Sequence, residues 1–392
     1  MKILVYGSNG WIGSQFCDII RNSTNNRHTL IYGGSRLNNI EQVRGEILRT
    51  RPTNVFCFIG RTHGKIGEKI YTTIDYLEQD GKLVDNIRDN LFSPMCLAKL
   101  CEDAGVHLTY LGTGCIFKYD GEHPFGKEER GFSESSKPNF FGSGYSIVKG
   151  FTDQLMKLFP RTVLNLRIRM PITGTPNPRN FITKITKYDK ICSIPNSMTI
   201  LPELLPLVIA FADMRHCGTV NLTNPGLITH NEILAMYKEI VDPDFEWENF
   251  TEEEQSKILD AERSNNFMET GRLTAFFPHV SNIKVGVRKM LEQYKACNPP
   301  KIIRPPPTDF PNTKDTTLLV TGGCGFIGSN FVNLILERFD KIKLINIDAM
   351  YYCANKNNIN KKWQISPRYQ LIRGNICSLD LVQHIFDTHQ PT

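Results

Sequence analysis

Tyr145 and Lys149 are residues whose types and spacing could do chemistry. They stand four positions apart in the segment Tyr-Ser-Ile-Val-Lys, which places a phenol and an ammonium on one face of a helix. Because a neighbouring positive charge favours the phenolate, we expect the pKa of Tyr145 to be lowered. A tyrosine of this kind can donate and accept protons near neutral pH. The pair follows a predicted strand that ends near Thr113, a further hydroxyl.

A glycine-rich turn lies at the start of the chain, between a short apolar strand and a helical pattern. It consists of Gly7, Ser8, Asn9, Gly10, Trp11, Ile12 and Gly13. Such a turn lets the backbone approach a pyrophosphate at the positive end of a helix. About 20 residues further on, where NAD-binding units carry a carboxylate, the sequence has Gly33 and then Ser35 and Arg36. A hydroxyl and a guanidinium favour the 2′-phosphate of NADP.

The same glycine pattern returns near residue 322, so two nucleotide-binding starts lie on one chain. The second copy contains Gly322, Gly325, Phe326, Ile327 and Gly328. Asp348 follows it at about 20 residues, where an acidic side chain accepts hydrogen bonds from the ribose of NAD. The second unit is therefore predicted to fit NAD, and the first NADPH.

Strands and helices must position these residues. Apolar strand patterns alternate with helical patterns, which predicts an α/β fold with a doubly wound parallel (Rossmann) sheet and ligands at the carboxyl ends of its strands. After the first apolar strand, the predicted strands of the first unit are residues 28–32, 54–59, 107–111, 163–168 and 219–222.

The sequence predicts three segments. Residues 1–297 form an NADP-binding domain, with a smaller substrate lobe mainly after residue 172. Residues 298–316 are rich in proline and are predicted to form a linker, and residues 317–392 form a partial second Rossmann unit.

Composition excludes several classes of function. The 11 cysteines form no C-x-x-C pair, so neither a disulfide framework nor a metal site is predicted. The formal charge of +6 is spread without a basic run, which suits a small anionic substrate better than nucleic acid. There is no signal peptide pattern and no apolar run that could cross a membrane, so we expect a cytoplasmic protein without a membrane partner.

Thr113, Tyr145 and Lys149 together resemble the Ser/Thr, Tyr and Lys triad of the extended short-chain dehydrogenases/reductases. The chain is further similar to the 3,5-epimerase/4-reductases that complete UDP-rhamnose from UDP-4-keto-6-deoxyglucose. The similar segments are residues 112–117, 138–145, 167–172, 177–184, 194–200, 223–226 and 263–266. The resemblance implies an oxidoreductase and isomerase that inverts carbons 3 and 5 of a nucleotide-linked 4-keto-6-deoxyhexose and reduces carbon 4 with NADPH.

The resemblance also implies roles for individual residues. Cys115 and Lys184 match the two proton carriers that epimerisation requires. Tyr145, supported by Lys149 and Thr113, is expected to protonate the reduced oxygen. Residues of the segment after the third strand are expected to line the cofactor or the sugar: Gly60, Arg61, Thr62 and His63.

Anionic groups of the substrate also need partners. Arg167, Arg169, Arg179 and Arg263 could each hold a diphosphate through a bidentate fork, and Arg263 is the preferred choice. Asn180, beside Arg179, is expected to contact the substrate.

Alternatives stay open on the sequence alone. The chain could be a non-catalytic NADP-binding regulatory subunit or a 4-keto reductase without epimerase activity, and the carrier could be UDP or dTDP. A homodimer is what the family implies. Residues 317–392 resemble the start of a nucleotide-sugar 4,6-dehydratase but lack that family's catalytic residues, so we expect no dehydration by this segment.

Overall fold

The computed structural model of the chain describes residues 1–23, 27–125, 130–297, 316–351 and 354–391. The chain divides into two compact units, Met1–Lys301 and Ile302–Thr392. The segment predicted as a linker, residues 298–316, lies outside the described residues except for its last residue.

The first unit is built from strands and helices that alternate along the chain. Its strands are β1 (Lys2–Tyr6), β2 (Thr29–Tyr32), β3 (Asn54–Cys57), β4 (Gly64–Ile66), β5 (Lys69–Tyr71), β6 (His107–Thr113), β7 (Val163–Ile168), β8 (Pro171–Ile172), β9 (Lys190–Ile191), β10 (Thr199–Ile200), β11 (Gly218–Asn221) and β12 (Glu248–Asn249). Its α-helices are α1 (Trp11–Arg21), α2 (Ile40–Thr50), α3 (Lys82–Ile87), α4 (Ser93–Asp103), α5 (Gly144–Met156), α6 (Phe181–Ile185), α7 (Leu201–Asp213), α8 (His230–Ile240), α9 (Glu252–Ser256), α10 (Gly271–Phe276) and α11 (Ile283–Cys297). A 3₁₀ turn spans Ile74–Glu78, and a π-helical turn, Arg88–Phe92, joins α3 to α4.

Six strands form one parallel sheet in the order β2-β1-β3-β6-β7-β11. The chain runs from β1 to one side for β2 and then to the other side for β3. In open α/β sheets, ligands bind outside the carboxyl ends of the strands where the direction of winding reverses. The prediction of a doubly wound parallel sheet is confirmed, although β3 ends two residues earlier than predicted and β6 two residues later.

Helices cover both faces of this sheet, and its inner strand β1 is apolar at nearly every position. Ile3 and Val5 pack with Phe16 of α1 and with α7. Leu4 and Tyr6 pack on the opposite face with α2 and α4. Successive side chains of a strand point to opposite faces, so a continuous apolar run fits a strand that is buried on both sides.

A smaller lobe follows β7. Two short strand pairs, β8 with β10 and β9 with β12, lie in it beside α6, α8 and α11. Its core includes Ile172, Ile182 and Ile233. Helix α8 begins with a capping box in which the Thr229 side chain accepts from the Glu232 N–H and the Glu232 carboxylate accepts from the Thr229 N–H, so its first turn is satisfied internally.

The second unit is a three-stranded parallel sheet in the order β13 (Thr317–Thr321), β14 (Lys343–Asp348), β15 (Tyr369–Arg373). Its helices are α12 (Phe326–Arg338), α13 (Lys361–Gln364) and α14 (Leu379–His389), with a 3₁₀ turn at Lys356–Asn358. Phe326 and Ile327 are each 83% exposed, so this half-sheet leaves large apolar side chains uncovered.

Two further properties hold for the part of the chain that the structure describes. None of its helices combines the length and apolar character that a membrane crossing requires. No three His, Cys, Asp or Glu side chains there group as metal ligands would.

Candidate active site

The glycine-rich turn after β1 has the geometry that a dinucleotide pyrophosphate needs. Gly7 has a φ of +82°, and a Cβ on Gly13 would lie 2.1 Å from the Gly7 carbonyl oxygen, so only glycine lets α1 begin this close to the turn. Gly10 is the N-cap of α1 and carries no side-chain cap, which leaves backbone N–H groups of the first helical turn to receive an anion. Of the other predicted residues, Ser8 and Asn9 lie in the same turn, and Trp11 and Ile12 lie in the first turn of α1.

A buried carboxylate, Glu46 of α2, holds the turn that follows β2. Its Oε1 accepts from the Gly34 N–H (2.8 Å), and its Oε2 accepts from the Tyr6 hydroxyl (2.7 Å) and the Ser35 N–H (3.3 Å). Burial acts to raise the pKa of Glu46, but the hydrogen bonds from Gly34, Tyr6 and Ser35 outweigh it and lower that pKa. The carboxylate therefore stays charged and braces the turn.

Ser35 and Arg36 stand on this braced turn at the carboxyl end of β2, and Arg36 is exposed. The residues present therefore fit NADP, whose 2′-phosphate suits a guanidinium and a hydroxyl. Sequence reasoning missed Glu46. The available signal was a glutamate on the face of α2 that also carries the buried Val43 and Ile47.

Thr113 and Tyr145 meet at the carboxyl end of β6, where Tyr145 lies in the first turn of α5. Burial raises the pKa of Tyr145 and the nearby Cys115 raises it further, whereas a hydrogen bond from Thr113 acts in the opposite direction. The expectation that Lys149 lowers this pKa is therefore wrong for this arrangement, because the loss of hydration dominates. A raised pKa keeps the phenol protonated and able to donate.

Lys149, one helical turn further along α5, is buried and donates a hydrogen bond to the Tyr110 hydroxyl. Its Nζ also lies 4.8 Å from the centre of the Tyr110 ring. Burial lowers the pKa of Lys149 to about 8. Sequence reasoning missed Tyr110, although a hydroxyl in a buried strand requires a polar partner and could have been noticed for that reason.

Cys115 follows the last residue of β6 by two positions. Its N–H donates to the Thr113 Oγ1 at 3.1 Å, and its side chain packs against the apolar cluster that contains Tyr145 and Tyr76. Arg169, which follows β7, donates from Nη1 to the Cys115 Sγ at 3.7 Å. The structure thus brings Thr113, Cys115 and Tyr145 together and adds a guanidinium to them.

Lys184 lies in the last turn of the short helix α6. Its Nζ donates to the Thr72 carbonyl oxygen at 3.5 Å. Burial lowers the pKa of Lys184, and the charges of Arg179 and Arg263 lower it further. This direction suits an amine that must exchange protons.

The segment that Lys184 contacts also reaches the tyrosine. Tyr76, four residues after Thr72, packs against Tyr145 and Cys115. Lys184 and the Tyr145 group therefore contact one and the same short segment of the first unit.

His63 and Arg179 lie together beside Lys184. The Arg179 Nη1 donates to the His63 Nδ1 at 3.0 Å, and Nη2 contacts Nε2. Burial lowers the pKa of His63, and the charges of Arg179, Arg61 and Lys184 add to this, so His63 is neutral near pH 7. The Thr62 hydroxyl lies 3.5 Å from the His63 Nδ1. This group carries net positive charge and suits a diphosphate.

Gly60 and Arg61 follow β3 and are held by Asn90 of the π-helical turn. The Asn90 side chain accepts from the Arg61 N–H and donates to the Arg61 carbonyl oxygen, both at 2.9 Å. The Thr152 hydroxyl of α5 donates to the Asn90 carbonyl oxygen at 2.7 Å. Asn90 therefore ties this loop to the helix that carries Tyr145. Nothing in the sequence indicated this role, because the segment reads as an ordinary helix.

Asn180 has a structural role, which corrects the expectation that it binds substrate. Its side chain is fully buried and caps α6 by accepting from the Ile182 N–H at 3.2 Å. Its amide nitrogen donates to the carbonyl oxygens of Thr173 (2.8 Å) and Thr175 (2.9 Å). These bonds satisfy both ends of the amide, so none of it faces a ligand.

Two of the four arginines considered for the diphosphate form ion pairs with carboxylates of the fold. Arg167 is fully buried and forms a bidentate pair with Asp153 of α5, with both N–O distances at 2.8 Å. Arg263 pairs with Asp75 at 2.6 Å and keeps 25% of its side chain exposed. Arg167 is therefore excluded from a diphosphate site, whereas Arg263 still reaches solvent.

The second glycine-rich turn repeats the close approach of the first. A Cβ on Gly328 would lie 2.2 Å from the Gly322 carbonyl oxygen, and Gly325 is the N-cap of α12. The buried Asp348 accepts from the Cys324 N–H at 2.7 Å and from the Met350 N–H at 2.8 Å. Its carboxylate thus braces the turn, a role that the sequence had not indicated.

Comparison with known proteins places both units. A UDP-rhamnose synthase from Acanthamoeba polyphaga mimivirus, L780, is 50% identical, and its crystal structure covers 75% of this chain and 99% of that chain with a TM-score of 0.71. The Arabidopsis thaliana bifunctional dTDP-4-dehydrorhamnose 3,5-epimerase/dTDP-4-dehydrorhamnose reductase is 41% identical over 74% of this chain and 92% of its own length.

Two other matches support more limited conclusions. A dTDP-4-dehydrorhamnose reductase from Bacillus anthracis, solved in complex with NADP, is 17% identical, with a TM-score of 0.59 over 74% of this chain and 99% of that chain; it shows the fold alone. Residues 319–392 match the GDP-mannose 4,6 dehydratase family. The chain belongs to the rhamnose-forming nucleotide-sugar 3,5-epimerase/4-reductases of the extended short-chain dehydrogenase/reductase family, and it carries a 4,6-dehydratase-like region in its second unit.

Proposed function

We propose that this chain inverts carbons 3 and 5 of a nucleotide-linked 4-keto-6-deoxyhexose and then reduces carbon 4 with NADPH, giving UDP-L-rhamnose or dTDP-L-rhamnose. The observation that carries this proposal is the meeting of Thr113, Cys115 and Tyr145 at the carboxyl end of β6. The glycine-rich turn lies at the same edge of the parallel sheet. The mimivirus relative is named a UDP-rhamnose synthase and the Arabidopsis relative a dTDP-4-dehydrorhamnose 3,5-epimerase and reductase, and both names support the same reaction.

Epimerisation requires two proton carriers, because the ketone at carbon 4 acidifies the hydrogens on both neighbouring carbons, 3 and 5. At each carbon the C–H bond breaks toward a base, and a new C–H bond forms from an acid on the opposite face. We assign these exchanges to Cys115 and Lys184. The lowered pKa of Lys184 supports its part, since the amine then releases and regains a proton more readily than an ordinary lysine does.

Reduction requires a proton donor at the carbonyl oxygen. The Gly7–Gly13 turn would hold NADPH, which would supply the hydride for carbon 4. Tyr145 gives its proton to the oxygen of carbon 4, and the hydrogen bond from Thr113 stabilises the phenolate that results. The buried ammonium of Lys149, on the same helix, adds positive charge to the site.

We assign substrate binding to the lobe after residue 172 and to the positively charged cluster around Lys184. Arg179, His63 and Arg263 lie around Lys184 and are assigned to the sugar and its diphosphate. The second unit is proposed to hold NAD at its own turn, with Asp348 bracing that turn. Titrating NAD against the full chain and its Gly328→Val variant tests this second proposal; equal NAD binding by both would overturn it.

The deciding experiment mixes the purified full chain with NADPH and either UDP-4-keto-6-deoxyglucose or dTDP-4-keto-6-deoxyglucose in D₂O. Oxidation of NADPH, deuterium at carbons 3 and 5, and the rhamnose product are followed together. Absence of NADPH oxidation and of deuterium uptake with both substrates favours a regulatory subunit. A reduced product without deuterium at either carbon favours a reductase that lacks epimerase activity.

Two variants separate the steps. Tyr145→Phe should abolish NADPH oxidation and retain deuterium uptake, whereas Cys115→Ala should stop uptake at one carbon at least. Tyr351→Phe, in the second unit, and Cys96→Ala, in α4, are matched controls outside the proposed site. Loss of both activities in Tyr145→Phe would contradict the division of roles.

A further inference from the structure

Arg169 is a buried cation without a carboxylate partner among the described residues. Its side chain is 1% exposed, and its hydrogen-bond acceptors are neutral oxygens of Ser264, Asn196 and Gly114 together with the Cys115 sulfur. Its Nε has no partner in this part of the chain. A charge removed from water in this way is costly unless an opposite charge lies close to it.

Arg167, two residues earlier, is paired with a carboxylate, as a buried guanidinium usually is. It is equally buried, but two of its nitrogens, Nε and Nη2, each donate to the carboxylate of Asp153 at 2.8 Å. Arg167 is thus neutralised permanently by the fold. Arg169 has no such group, so its counter-charge must come from a neighbour that can ionise.

The ionisable groups around Arg169 are few. Tyr119 and Cys115 both act on it as potential anions. The Tyr119 hydroxyl is used as a donor to the Pro195 carbonyl oxygen at 2.8 Å, which holds it in its protonated form. His230 also lies near, but burial lowers its pKa to about 4, so it is uncharged at neutral pH. Among the described residues, the Cys115 sulfur is the ionisable group that is in direct contact with the guanidinium.

We propose that Arg169 is a positioning residue that makes Cys115 a proton carrier, because its guanidinium supplies the counter-charge of the Cys115 thiolate. The proposal rests on the function proposed for Cys115 above. From α5, Tyr145 and Lys149 also face this thiol; burial keeps Tyr145 protonated, and Lys149 is already engaged with Tyr110. Arg169 is therefore the cation that contacts the sulfur directly, at 3.7 Å. A cation beside a thiol favours the thiolate.

Alkylation of Cys115 tests this without any substrate. The full chain is treated with iodoacetamide across a pH series, and modification of the Cys115 and Cys96 peptides is followed by mass spectrometry. Arg169→Met removes the charge with little change of length, and Arg169→Lys restores it. Cys96, a half-buried thiol of α4 whose pKa is raised by burial alone, is the internal control in every sample.

In Arg169→Met the pH midpoint of Cys115 alkylation should rise by about one unit or more, which is about tenfold less thiolate near neutrality. Arg169→Lys should recover most of this shift, and the Cys96 midpoint should stay unchanged in both variants. An unchanged Cys115 midpoint in a folded Arg169→Met protein overturns the proposal, as does a shift that Arg169→Lys does not reduce at all.

If Arg169→Met does not fold, the proposal is tested by the alkylation rates of the unmodified chain. Cys115 should then react faster than Cys96 at pH 7, and an equal or slower reaction overturns the proposal. Failure of the proposed function is recognised separately, since Cys115→Ala would then keep full deuterium uptake whatever the alkylation shows.

Discussion

The Lys149 ammonium donates its hydrogen bond to the buried hydroxyl of Tyr110. The two residues come from different elements, α5 and β6, and their contact ties the helix that carries Tyr145 to the strand that ends in Thr113. The charge of Lys149 is thereby held inside the protein at a fixed place, where its protonation can be titrated.

The first prediction concerns the pH dependence of reduction. Since burial lowers the pKa of Lys149 to about 8, we expect the rate of NADPH oxidation to fall as the pH rises through about 8. The ordinary value is near 10.4, so between these values the unfolded chain binds the extra proton and this residue's contribution to stability rises with pH. Thermal unfolding measured alongside the rate should therefore show no matching loss of stability from this residue. A Lys149→Arg variant that keeps the same alkaline fall would contradict the assignment.

The second prediction concerns Tyr110. Replacing it with Phe removes the acceptor of the Lys149 hydrogen bond and disfavours the charged amine, so the alkaline fall should move to lower pH by about one unit. The measurement is the same pH–rate profile. Tyr351→Phe, in the second unit, serves as the control and should leave the profile in place.

The third prediction uses two glycines of the first unit. Gly13→Ala should lower the rate of reduction by about a hundredfold at fixed NADPH, because its Cβ would overlap the Gly7 carbonyl and displace the turn. Gly45→Ala is the matched control: nothing lies within 4 Å of its Cβ in α2. It should stabilise the protein by about 0.5–1 kcal/mol and leave NADPH binding unchanged. NADPH titration and thermal unfolding measure both, and equal NADPH binding by Gly13→Ala would count against the turn as the cofactor site.

The fourth prediction concerns Glu46. In Glu46→Gln an amide nitrogen replaces one acceptor oxygen and faces the N–H groups of the turn, so we expect NADPH to bind about tenfold more weakly, equivalent to about 1.4 kcal/mol. The saturating rate should change little, because the reacting end of the cofactor lies elsewhere. Glu102→Gln, on the exposed surface of α4, is the control. An unaltered KM for NADPH would show that the brace does not control the 2′-phosphate end.

The sequence alone predicted the parallel sheet because its signals are local: an apolar run, a glycine turn and a helical pattern follow one another within a few residues. The Thr229 capping box of α8 is a feature of the same local kind, since its two partners lie three residues apart. The grouping of Thr113, Cys115 and Tyr145 could also be predicted, since Thr113 ends a strand, Cys115 follows it by two residues, and the family pattern places Tyr145 near them.

What the sequence could not predict are partnerships between distant positions. Arg263 pairs with Asp75, 188 residues away, and Arg167 with Asp153 on another element, so the ion pair of neither guanidinium could be foreseen. The pKa of Tyr145 was misjudged for a related reason. Its burial depends on Tyr76 and Leu77, which no spacing around Tyr145 reveals.

The π-helical turn at Arg88–Phe92 sets the rotational phase of everything downstream in that helix. Each residue of an α-helix is rotated by about 100° around the helix axis relative to the residue before it. Deleting one residue here would convert the π-helical turn into regular α-helix and rotate Asn90 or α4 by that angle. The hydrogen bonds between Asn90 and the Gly60–Arg61 loop would then break, although every neighbouring side chain was still present. Deleting one residue at this point should therefore impair the site more than many substitutions of side chains at the edge of the site.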